Sequence, residues 1–218
     1  MIMTGSLIVN NLAGLMMVTS LLVIGAKRPV ASCWLYALQS LLLVLIFFTL
    51  GQTLGAHQLT LWAISAFITK VVLVPVIMAY AFRKMDDPSA NGSLIGPVML
   101  MLAAAVIVLL CWFVVEPVQV PLLASLKPAL AVSLGHFMLG LLCIVTQRNI
   151  LKQVFGYCLM ENGSHLTLAL LANRAPELVE IGIATDAIFA VIVMAVLARK
   201  IYRTLNTLNV EQLTALKG

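Results

Sequence analysis

Seven stretches of about 20 apolar residues, separated by short charged or Gly- and Pro-bearing breaks, constrain this chain more than any other feature. They fall near 7–26, 30–50, 60–82, 94–115, 128–147, 153–172 and 178–198. A helix rises about 1.5 Å per residue, so each stretch matches the roughly 30 Å hydrocarbon core of a bilayer. They are far longer than barrel strands and lack strict alternation, which predicts an all-α polytopic bundle of about seven transmembrane helices. With 62% hydrophobic and 10% charged residues, the composition lies well outside that of soluble domains. The first stretch has no basic run before it and is followed by Lys27 and Arg28, as expected for a retained anchor.

The basic residues predict orientation. Lys27, Arg28, Arg83, Lys84, Arg148, Lys152, Arg199, Lys200, Arg203 and Lys217 all fall on one side of a seven-span bundle, and only Lys127 and Arg174 on the other. Ten against two is a positive-inside bias that places the N-terminus outside and the C-terminus in the cytoplasm. The net charge of +5 is therefore read as a topology signal, with no nucleic-acid partner implied. Cys33, Cys111, Cys143 and Cys158 lie in apolar stretches without a CxxC pair, and read as small apolar residues.

A weak internal repeat is visible. Spans 1 to 3 and 5 to 7 each give a helix, a basic break, a second helix and a third helix ending in a basic cluster. Tyr36 then corresponds to Tyr157, while Lys70 and Asp186 each lie thirteen residues before a basic residue, Arg83 and Arg199. The division expected is a three-helix unit over 1–93, a linker helix and outward loop over 94–127, and a second three-helix unit with a cytoplasmic tail over 128–218. A chance match between apolar triplets remains the alternative.

Glu161 and Asp186 are the acids that lie deep inside the apolar stretches, Glu180 falling at the very start of the last one. A carboxylate near the bilayer centre is expensive and normally marks a proton or ion route or a buried ion pair. A carboxyl group in a low-dielectric medium is pushed towards its neutral form and can then exchange protons near neutral pH. On the predicted helix, Tyr157, Glu161, Ser164 and His165 share one face, which makes His165 a candidate proton carrier one turn from Glu161. Lys70 is too deep to snorkel comfortably, and Pro75 five residues later predicts a kink just past it. The candidate relay is thus Glu161, Asp186, Lys70 and His165, with His136 and Tyr157 as secondary candidates. The competing reading is a set of buried ion pairs and hydrogen bonds that orient helices and conduct nothing. There is no Walker motif, dinucleotide fingerprint, HExxH, nucleophile elbow or haem-attachment motif, so no cofactor or metal is expected and no catalytic residue is assigned.

The runs FGYCLMENGSHL around Glu161 and GIATDAIFAVIV around Asp186 make residues 128–205 similar to the K subunit of bacterial complex I and the C subunit of multisubunit cation/proton antiporters. Over its length, with the run TQRNILKQVFGYCLMENG, the chain resembles the hydrogenase-4 component E family of formate hydrogenlyase membrane subunits. That resemblance implies a non-catalytic subunit in the bacterial cytoplasmic membrane. Its partners would be antiporter-like and complex I-like subunits of a [NiFe]-hydrogenase membrane arm, and it would couple redox chemistry to ion translocation. Asp186 stands where the K subunit carries Glu, one methylene longer. A purely structural scaffold is the alternative, and a free-standing small transporter is disfavoured because seven short-looped helices offer no obvious substrate cavity.

Overall fold

The computed structural model describes residues 2–85, 87, 90, 93–118 and 121–213. Lys217, counted above among the basic-side residues, lies outside the described residues. All regular structure described is helical, apart from the isolated bridges Ser93–Gln147 and Asn149–Asn209. In chain order the α-helices are α1 (Ile2–Gly25), α2 (Pro29–Leu54), α3 (His57–Ala66), α4 (Val74–Phe82), α5 (Pro97–Val115), α6 (Lys127–Thr146), α7 (Ile150–Leu171), α8 (Glu177–Leu205) and α9 (Val210–Leu213). A π-helical segment, Phe67–Leu73, joins α3 to α4 into one continuous rod, and a 3₁₀ turn over Pro121–Leu126 leads into α6.

Helix boundaries follow local chemistry. Prolines 29, 97 and 128 sit at the first or second positions of α2, α5 and α6, where a missing N–H costs nothing. Asn149 caps α7 by accepting from the Leu151 N–H at 2.9 Å. Gly55 closes α2 in the left-handed conformation, φ 62°, and Asn206 closes α8 at φ 54°.

The chain is an all-α polytopic membrane protein. Six described segments are long and apolar enough to cross a bilayer: Met3–Gly25, Pro29–Leu54, His57–Phe82, Pro97–Val115, Ala124–Thr146 and Ile181–Leu205. The seventh predicted span, α7, has 22 residues, but Lys152, Glu161, Asn162, Ser164, His165 and Thr167 dilute its apolar content. It compensates by position, packing against α6, α2, α8 and α1, so its polar groups meet protein instead of lipid. Outer faces of α5 and α8 carry exposed apolar residues such as Phe113, Val98, Phe189 and Val193, the reverse of a water-facing surface.

Two contiguous cores fill the interior. One gathers Phe47, Leu59, Trp62 and Leu166, the other Tyr36, Met78, Phe82, Phe155 and Leu159. At the basic-loop end, the α6–α7 turn is stitched on both sides. Leu94 N–H donates to Thr146 O at 2.8 Å, and Val210 N–H donates to Arg148 O at 2.9 Å. Asp87 Oδ2 accepts from Thr207 Oγ1 and the Leu208 N–H, tying the loop after α4 to the end of α8.

The α6–α7 pair is the tightest in the bundle because glycines let the backbones touch. A Cβ built on Gly156 would sit 2.8 Å from the Gly140 carbonyl oxygen, and one on Gly163 2.5 Å from the Phe137 nitrogen. Small residues at such seams allow the close packing that drives helix association in lipid. Gly156→Ala is expected to lower stability in detergent by about 1–3 kcal/mol through overpacking against backbone. Gly14→Ala, where an added Cβ meets nothing within 4 Å, should leave it unchanged. Thermal unfolding of the two variants checks the contrast.

Candidate functional site: a buried ion pair and its hydrogen-bonded chain

Lys70 lies at the centre of the π-helical segment and is completely buried. The Val74 N–H reaches back five residues to Thr69 O, the wider spacing of a π turn. In that register the donor for the Lys70 carbonyl would come from Pro75, which has no N–H. The predicted kink beyond Lys70 is therefore replaced by a π register that surrounds it. Pro75 starts α4, and the helix stays continuous through the disturbance. Local loosening of this kind is common at functional sites.

The ammonium meets its counter-charge across the bundle. Lys70 Nζ is 2.6 Å from Glu161 Oε1 and donates to Asn162 Oδ1 at 2.9 Å. The Glu161 side chain is 14% exposed and the Lys70 side chain 0%, so the pair sits at the edge of the interior with its cation innermost. Charge-assisted hydrogen bonds in such a medium are short and strong, and leaving either member unpaired is costly.

From Asn162 the contacts continue inward. Its Nδ2 donates to Gln39 Oε1 at 2.8 Å and to Ser40 Oγ at 3.1 Å. Gln39 Nε2 lies 2.6 Å from His136 Nε2, and Ser20 Oγ lies beside the same ring, 3.1 Å from Nε2 and 3.3 Å from Nδ1. The donor order follows from the cation. Lys70 must donate to the Asn162 oxygen, which turns the Asn162 amide N–H groups towards Gln39 oxygen and the Gln39 N–H groups towards His136. This pattern suits a neutral imidazole with its proton on Nδ1. Five elements thus meet in one polar line through an apolar bundle: α1, α2, the π segment, α6 and α7.

The other candidate residues are separated by the fold. His165 is buried, its ring packed against Phe47 at 4.7 Å and Trp62 at 5.4 Å between ring centres, in an aromatic slot one turn along α7 from Glu161 and within electrostatic range of Lys70 and Glu161. Ser164 is exposed and donates to Met160 O at 3.2 Å. The single polar face predicted for α7 is therefore divided, and Asn162, beside Glu161 in sequence, supplies the inward contact instead. Tyr157 is half-buried and within electrostatic range of both Glu161 and Asp186. Asp186 is exposed on the outer face of α8, next to exposed Thr185 and one turn from Phe189. Lys70, Glu161 and His136 are brought into one network, Tyr157 borders it, and Asp186 faces outward at its margin.

Sequence reasoning missed Gln39, Ser40, Ser20 and Asn162. Neutral polar residues scatter through transmembrane helices at low cost and do not stand out as acids do. The adjacency of Gln39 to Ser40 and of Asn162 to Glu161 was the available signal.

Comparison with known proteins adds relatives for this geometry. The family described as NADH-ubiquinone/plastoquinone oxidoreductase chain 4L matches residues 128–218, a stretch that contains His136, Glu161, His165 and Asp186. Hydrogenase-4 component E of Escherichia coli (strain K12) is 68% identical over 216 residues, covering 99% of this chain and all of that protein. Its counterpart in Shigella flexneri is also 68% identical over the same coverage. An uncharacterized protein of Mycobacterium tuberculosis is 23% identical over 218 residues, 97% of each chain. No solved structure matches.

The pairing energetics can be measured directly. Glu161→Gln and Lys70→Met are each expected to destabilise the folded chain by about 3–5 kcal/mol, because each strands one buried polar partner. The double variant should lose markedly less than the sum of the two, giving a coupling energy of about 1–3 kcal/mol in a thermal double-mutant cycle.

Proposed function

The chain belongs to the hydrogenase-4 component E family, and from that premise we propose that it is a non-catalytic membrane subunit that relays protons, or a cation in their place, during redox turnover of a hydrogenase complex. One observation carries the reading. A lysine and a glutamate are paired in the bundle interior while a second carboxylate, Asp186, faces outward from the adjacent helix within an apolar surface. An acid on a lipid-level face is costly unless a neighbouring subunit covers it. Asp186 is thus the point at which the relay leaves this chain for a partner, and Glu161 is the internal station, with Tyr157 between them. Lys70 biases Glu161: when Glu161 takes a proton, the ammonium loses its counter-charge and leans on Asn162 alone, so the proton is held only transiently.

The ten-to-two bias of basic residues supports an orientation with the basic-loop end at the cytoplasm of a bacterial inner membrane and the N-terminus outside. Helices α1 to α4 and α6 to α8 are taken as the two three-helix units, with α5 as linker. The partners are antiporter-like and complex I-like subunits of the hydrogenase membrane arm.

The scaffold reading also has support, since the exposed apolar face of α8 would serve docking whether or not protons move. Glu161→Gln and Asp186→Asn, each introduced into the assembled complex, separate the two. The relay predicts that the complex that assembles, at a yield lowered in Glu161→Gln by the lost ion pair, shows proton translocation per hydrogen evolved reduced about tenfold or more. Undiminished translocation in both variants would refute it. Loss of assembly, with normal coupling in whatever complex forms, would favour the scaffold.

A further inference from the structure

At the basic-loop end a cavity of about 560 Å³ is lined by Lys27, Ser93, Gln147, Asn149 and Lys152 against the apolar wall of Ile24, Ile95 and Leu100. Lys152, in the first turn of α7, is 4% exposed. Its Nζ donates to Val23 O and to Ser32 Oγ, both at 2.6 Å. Among the described residues no carboxylate lies within 4 Å of it, and the two ion pairs present are Lys70–Glu161 and Arg148–Glu211. A buried amine with two neutral acceptors and a cavity roomy enough for several waters beside it is poorly explained as a structural cation alone, since an ion pair would hold the helices better.

What lies behind Lys152 gives it a direction. Ser32, Tyr36 and Ser40 repeat at four-residue spacing along α2, so they stack about 6 Å apart on one helix face. All three are fully buried. Ser32 accepts from Lys152 and donates to Val23 O at 3.0 Å. Ser40 accepts from Asn162, which holds Lys70. Between them in sequence, Tyr36 brings its hydroxyl beside Ser40 and Asn162 without a hydrogen bond of full geometry, and Glu161 is within electrostatic range. A buried hydroxyl held so loosely is rare in native structures and calls for an explanation.

We propose that Lys152, Ser32 and Tyr36 form the uptake route by which protons from the basic-loop side reach Glu161. This rests on the relay reading of Glu161. A hydronium in the cavity gives its proton to Lys152 as the neutral amine. The resulting ammonium passes another N–H proton to Ser32 Oγ, whose own proton moves on through intervening water to the Tyr36 hydroxyl, one turn along α2. Tyr36 accepts that proton as it releases its phenolic proton to the Glu161 carboxylate. Each group returns to its starting protonation and only Glu161 has gained.

Conservative variants in the assembled complex, read in inverted membrane vesicles, test the route. Tyr36→Phe removes only a hydroxyl whose contacts with Ser40 and Asn162 fall short of full hydrogen-bond geometry, so a purely structural role predicts near-normal coupling. The uptake route predicts that proton translocation per hydrogen evolved falls about tenfold or more, while hydrogen evolution with a protonophore present is unchanged. Lys152→Arg keeps the donors but stays cationic and cannot release its proton, and should fail in the same way. Ser32→Ala carries the same expectation and decides the matter where either larger side chain disturbs assembly on a native gel. Normal translocation in these variants alongside a defective Glu161→Gln overturns the route and leaves the relay standing. Normal translocation in Glu161→Gln overturns the relay reading itself, and the route with it.

Discussion

The pairing of Lys70 with Glu161 organises the interior. An ammonium at membrane depth needs an acceptor set that lipid does not offer, and here it receives one carboxylate oxygen and one amide oxygen from consecutive residues of α7. That requirement places α7 among other helices, although it is the span least able to face lipid. It also fixes the rotation of the α3–α4 rod, whose π register presents Lys70 inward while Phe67, Ile68, Val72 and Leu73 remain on exposed surface. A regular α-helix would turn these positions by a different angle, so the π segment and the ion pair support each other.

Close approach of α6 and α7 is the second requirement. Through Gly140, Gly156 and Gly163 the two backbones come near enough for Ser133 Oγ to meet Thr167 Oγ1 at 2.8 Å. His136, one turn beyond Ser133 on α6, turns to Gln39 and Ser20 instead. At the basic-loop end the same pair is anchored by the contacts of Gln147, Arg148 and Asn149 with the segments on either side. The network is thus clamped at one end by backbone bonds and in the middle by a charge pair.

The helices were legible in the sequence because apolar length against bilayer thickness is a coarse and robust measure. Even α7, diluted by polar residues, was recovered, since its boundaries are set by Asn149 and the turn after Leu171. The relative roles of Glu161 and Asp186 were not legible. Both are single acids in apolar runs, yet one is paired inside and the other faces out. Which side of α8 turns inward depends on packing, and a helix that is apolar almost all round carries little information about its own rotation. The same limit explains His165. Its spacing from Glu161 does put it on a neighbouring face, but Lys70 holds Glu161 and Asn162, and the ring one turn further along packs between Phe47 and Trp62.

The chemistry of the linking groups divides the network in two. From Lys70 to His136 the contacts run through the side-chain amides of Asn162 and Gln39. An amide donates and accepts but does not give up a proton near neutral pH, so this arm transmits orientation, not protons. A change at His136 reaches Lys70 only if both amides rotate together, which makes the arm a stiff brace for the ammonium. Around Glu161 the available groups are different: a carboxyl, the phenols of Tyr36 and Tyr157, serine hydroxyls and, at the margin, Asp186. Each of these can exchange a proton with a neighbour or a water. On the proposed relay, Glu161 sits at the junction between a braced arm that holds its counter-charge still and an exchangeable arm that would load and unload it, and such a site needs both.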